Sequence, residues 1–130
     1  MIGGYSTLDF MMFRSVAFQP VGVVINRLVF QQNSTLKFQR ELDRILIRAV
    51  EHESLVSVKK ALELGAGVNA KNNWQIPAIV IASMKGNLEI VKLLISRGAS
   101  RKDIPKALEW ARERGYFEVL EFLTNQLKSQ

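Results

Sequence analysis

The chain contains no cysteine. That absence excludes disulfides, a thiolate nucleophile and thiolate metal ligation. It suits a reducing, intracellular compartment, with the cytoplasm the expected location. Histidine occurs once, as His52. One imidazole without a second His or a Cys can build neither a nucleophile–base pair nor a zinc site, so catalysis, metal binding and cofactor binding are not expected. The carboxylates do not change this. Glu51 and Glu53 flank His52 in a turn, and Glu109 and Glu113 stand one helical turn apart on a solvated face. Gly3-Gly4 is too short for a phosphate-cradling loop. A run of about 18 apolar residues, the minimum for a membrane span, is also missing; Val21 to Phe30 comes nearest and is broken by Asn26 and Arg27. The first residues lack the Lys/Arg start of a secretory leader.

What is present is a 130-residue chain with 48% hydrophobic residues and a net charge of +6, enough for one domain with a modest core. Lys59-Lys60 and Arg101-Lys102 are the adjacent basic pairs, and no block of five like charges occurs. Along the sequence the basic charge therefore reads as a solvated surface more than as a nucleic-acid tract.

The best-defined stretch is Gly86 to Ala99. Leu88, Val91, Leu94 and Ile95 recur at helical spacing and share a face, and Gly98 follows where a helix ends on a left-handed residue. One such short helix cannot bury its own face, and the sequence supplies neighbours. Ala49, Leu55, Val58, Lys59, Gly65 and Ala66 recur as Ala82, Leu88, Val91, Lys92, Gly98 and Ala99, each 33 residues on. Gly86, Glu89 and Leu94 recur as Gly115, Glu118 and Leu123 at 29 residues, so the second link is four residues shorter.

The period and the segments Gly86-Asn87-Leu88-Glu89-Ile90-Val91-Lys92-Leu93-Leu94, Gly65-Ala66-Gly67-Val68-Asn69-Ala70-Lys71 and Arg97-Gly98-Ala99-Ser100 resemble the ankyrin repeat family. Glu41 to Gly65 resembles an amino-terminal capping repeat with Leu42, Ile45, Leu46, Ala49 and Val50 on one face. The resemblance implies an all-α fold, a short solenoid of about three helix pairs over residues 41–130. It implies no enzymatic activity. The loop departs from the family pattern: the T-P-L-H segment falls on Pro77-Ala78-Ile79-Val80, the usual Gly on Gln75 and the usual Asp on Asn72, which weakens the expected hairpin. In the third unit Asp103 is expected to cap a helix with Pro105 in its first turn, and Leu108, Ala111, Phe117, Leu120 and Leu123 to face inward.

Residues 1–40 carry few charges and form an apolar amino-terminal segment, expected to pack on one end of the stack either as a degenerate helix pair over residues 8–32 or as an irregular apolar arm. Within it, Val21 to Phe30 reads as helix or strand, and its β-branched residues lean to strand. The resemblance further implies that loop tips and first-helix edges bind a protein partner. Carried onto this chain, that surface is Lys71, Asn73, Trp74, Ile76, Met84 and Lys85, with Glu51, His52, Glu113 and Arg114 from the flanking units. Trp74 stands out, because no helical or strand period buries it and Trp combines a large apolar area with one donor. Trp110, beside Ala111 on a first helix, reads as packing. Two other partner classes remain open: nucleic acid on a stripe of Lys59, Lys60, Arg97, Arg101, Lys102 and Lys106, and a membrane surface at residues 8–30.

Overall fold

A computed structural model describes residues 21–129; of residues 21–33 the backbone alone is described. The chain divides after Lys37, and the unit that carries the repeats is Phe38–Gln130. The expectations for residues 1–20, including most of the proposed membrane arm, lie outside the described residues. The described residues hold six α-helices: α1 (Val21–Glu51), α2 (Leu55–Glu63), α3 (Ala78–Lys85), α4 (Leu88–Ser96), α5 (Ile104–Arg114) and α6 (Phe117–Lys128), with a 3₁₀ turn at Arg101–Asp103. Val21 to Phe30 is helical despite its β-branched residues, a local preference that helix continuity overrides. No helix of the described residues is long and apolar enough to cross a membrane.

The 33- and 29-residue offsets are visible in the backbone. The turn between paired helices is built three times with the same hydrogen bonds. Glu53, Gly86 and Gly115 donate to Val50, Ser83 and Arg112; Ser54, Asn87 and Tyr116 donate to Ala49, Ala82 and Ala111. These reverse bonds satisfy carbonyls that a helix end leaves open. The cap side chains differ. Ser54 accepts from the Ser57 N–H and Asn87 from the Ile90 N–H, whereas Tyr116 accepts nothing there.

First helices stack on first helices, α3 against α5. Second helices stack on second helices, α2 against α4 and α4 against α6. Small residues at the repeat positions, Ala49, Ala82 and Ala111, are buried and let the helices approach. Around them Leu46, Val50, Val58, Ile79, Ile90, Val91, Leu94, Ile104 and Leu123 form one continuous core. Ser83 is the buried polar side chain among the described residues, and its hydroxyl donates to the Ile79 carbonyl at 2.9 Å.

Two inward assignments and one capping assignment are corrected. Ile45 is 47% exposed, because the buried stripe runs through Leu42, Leu46, Ala49 and Val50 and leaves it at the margin. Phe117 is 74% exposed; Val119 and Leu123 carry the burial of α6, which packs on α5 and α4 and has no described helix on its other side. Asp103 occupies the N-cap position of α5 in a helical conformation and makes no capping bond, since the 3₁₀ turn already leads directly into the helix. Pro105 sits in the first turn, Ala111 is buried, and Leu108 and Leu120 are half-buried against the core.

Candidate functional site

The inter-repeat loop between α2 and α3 keeps a hairpin although two of its family residues are replaced. Lys71 and Pro77 form an antiparallel bridge, the Ala78 N–H donates to the Ala70 carbonyl, and the Asn72 N–H donates to the Ile76 carbonyl. The Asn72 side chain supplies the fixing acceptor: its Oδ1 receives the Trp74 and Ile76 N–H groups, both at 2.9 Å. An Asx turn of this kind needs only a side-chain oxygen, so Asn serves where Asp was expected. Gln75 takes the left-handed conformation itself, at φ 63°. The expected weakening is therefore met by a local acceptor and by a strained residue, and the hairpin stands. Pro77 opens α3 without a side-chain cap.

This loop presents Trp74 outward, 76% exposed. Two adjoining hollows meet beneath it. One, of about 520 Å³, is lined by α1 through Arg40, Arg44, Ile47 and Arg48, and by Lys71 and Asn73 of the loop. The other, of about 350 Å³, is lined by Ile76, Ile81, Met84 and Lys85, and by Arg114 at the end of α5. Glu51, Asn72 and Trp74 border both. The six residues expected from the loop and first-helix edge are thus brought together along one groove: Lys71, Asn73, Trp74 and Lys85 exposed, Ile76 and Met84 half-buried with their stems on the core. Glu51 and Arg114 join them, whereas His52 and Glu113 line neither hollow.

Arg40, Arg44 and Arg48 were not anticipated. Their signal was present as a four-residue spacing, which places all three on one side of a helix; scanning for contiguous basic blocks passes over it. Trp110 is half-buried against the core, with the Arg114 guanidinium 5.3 Å from its ring centre. That cation–π contact orients Arg114 at the groove's edge.

Neighbouring segments are held by side-chain bonds. The Asp43 carboxylate accepts from the Gly67 N–H at 2.8 Å and from Gln39 Nε2 at 2.9 Å, fixing the exit of α2 to α1. The Ser100 N–H donates to Asn69 Oδ1 at 2.8 Å, joining consecutive repeat exits. Arg101 donates to the Gln126 carbonyl at 2.6 Å, so the shortened link is tied to α6. Among the described residues, no three His, Cys, Asp or Glu side chains come close enough to hold a metal ion.

A family model of ankyrin repeats (3 copies) matches residues 46–129. Among curated proteins, the ankyrin repeat and KH domain-containing protein mask-1 of Caenorhabditis elegans is 33% identical over 90 residues, covering 65% of this chain. The chain spans about 3% of the length of that relative.

Proposed function

Because the chain belongs to the ankyrin repeat family, whose repeats are non-enzymatic protein–protein interaction modules, we propose that it binds a protein partner in the groove centred on Trp74. One observation carries this reading: a large, exposed indole stands over two adjoining hollows whose walls come from rigid first helices and a hydrogen-bonded loop. Burying that indole against a partner releases apolar surface from water, and a preformed wall limits the ordering cost of association. Lys71, Asn73 and Lys85 form the polar rim; Ile76 and Met84 form the apolar floor.

The test is affinity capture followed by titration calorimetry with the captured partner. Trp74→Ala lowers affinity by about 2 kcal/mol or more, roughly thirtyfold, as an anchor residue does. Lys85→Ala costs less and acts mainly on the association rate. A Trp74→Ala variant that melts normally and binds with undiminished affinity places the site elsewhere.

A further inference from the structure

The groove also carries a charge pattern that defines its occupant. Arg40, Arg44 and Arg48 line one wall of the first hollow, and Lys71 enters it from the loop. Lys85 and Arg114 stand at the far end of the second. Among the described residues, two carboxylates, Asp43 and Glu51, oppose these six cations, leaving an excess of four positive charges. Asp43 is engaged by the Gly67 N–H and by Gln39. Among the cations, Arg44 has a carboxylate partner, the exposed Glu41 at 2.6 Å. Arg40, Arg48, Lys71 and Lys85 have no ion-pair partner among the described residues. Like charges held four residues apart on one helix repel each other, so an anionic occupant relieves the repulsion as well as adding attraction.

The apolar component lies between the two basic ends. Trp74 overhangs a floor of Ile76, Ile81 and Met84. We propose that the groove binds an acidic, extended peptide segment in which Asp or Glu residues flank one large apolar side chain. That side chain sits against Trp74 and Met84, and the carboxylates meet the α1 arginines on one side and Lys85 and Arg114 on the other. Guanidinium groups suit carboxylates because their paired N–H donors match both oxygens. Single-stranded nucleic acid, the other polyanion, fits less well: its recognition rests on several stacking aromatics in succession, and among the described residues Trp74 is the aromatic lining this groove. Glu51 also stands at the junction of the two hollows, where a phosphate backbone would have to pass. This proposal rests on the groove being the binding face.

The experiment uses the full chain and fluorescence anisotropy with three pools of labelled synthetic peptides. Each pool has a central Leu, Phe or Trp, flanked by Asp/Glu, by Ser/Gln or by Lys; an unstructured single-stranded RNA is the fourth probe. The acidic pool is expected to bind best, with affinity falling as salt rises. The double variant Arg40→Glu/Arg48→Glu, both exposed positions, should weaken it by about tenfold or more, and Trp74→Ala likewise. Replacing the central residue by Ser should abolish the Trp74 dependence. If the neutral pool binds as tightly in a Trp74-dependent manner, the acidic assignment fails while the groove reading survives. Binding of the acidic pool that ignores both Trp74 and the α1 arginines overturns both. RNA that binds more tightly than the acidic pool, and loses affinity in the arginine double variant, overturns the peptide assignment. No retention of the acidic pool above the lysine pool also overturns it. Melting curves of each variant confirm that the fold is intact.

Discussion

The ring of Tyr116 lies directly over Gly86, so close that a Cβ added at Gly86 would come within 2.6 Å of it. Gly86 closes α3 at φ 71°, and Tyr116 stands at the equivalent boundary one repeat later, before α6. The contact joins the second and third units at their turns. It also gives position 116 a packing role where Ser54 and Asn87 have a capping one.

Gly86→Ala is therefore expected to destabilise the protein by about 2 kcal/mol or more, combining left-handed backbone strain with the clash. Adding Tyr116→Ala should recover part of that loss, since the clash goes and the strain remains. A double-mutant cycle in urea measures the coupling between the two sites. A coupling near zero would mean that the two residues do not touch in solution.

Glu53 and Gln75 hold positive φ, 57° and 63°, without being glycine. Glu53 occupies the place that Gly86 and Gly115 fill in the later turns. Glu53→Gly and Gln75→Gly should each raise stability, by up to about 1 kcal/mol. Relief of left-handed strain exceeds the extra chain entropy that Gly brings to the unfolded state. Denaturant midpoints that stay unchanged or fall would show that neither residue is held in that conformation.

Leu94 is fully buried in α4 while Trp74 is largely exposed. Leu94→Ala should cost about 2–5 kcal/mol. Trp74→Ala should change stability by no more than about 0.5 kcal/mol. Equal losses in one denaturant titration would make Trp74 a structural residue and deprive the groove of its anchor.

The Asn72 side chain receives two N–H groups of its own loop, and these bonds shape the loop's tip. Asn72→Ala should leave those amides without their acceptor and cost about 1 kcal/mol. Amide hydrogen exchange at Ile76 should speed up, and partner affinity should fall as the loop's tip loosens beside both hollows. Asn72→Asp keeps the acceptor and should restore slow exchange at Ile76. Fast exchange in both variants would remove the oxygen as the cause.

The repeat period, the helix pairing and the place of the full-length inter-repeat loop were all legible along the chain. A solenoid's contacts are mostly between a residue and its counterpart one repeat away, so spacing alone encodes them. Val91 and Leu94 at helical spacing and the 33-residue recurrence of Ala49, Gly65 and Ala66 needed no three-dimensional information. The same holds for six groove residues from Lys71 to Lys85, which came from matching the family pattern. Other features depend on what lies across a gap in space. Periodicity placed both Ile45 and Phe117 inward, but burial requires a neighbour, and neither has enough cover. Whether Asn72 and Gln75 could keep a hairpin depended on hydrogen-bond geometry that residue names do not specify. The meeting of the α1 arginines with Lys71 likewise emerges only in the fold, although the four-residue spacing of the arginines is in the sequence. Arg40, Arg44 and Arg48 belong to one unit's helix and Lys71 to the loop that follows, and chain folding brings their charges to one hollow. Electrostatic fields add through space and take no account of distance along the chain.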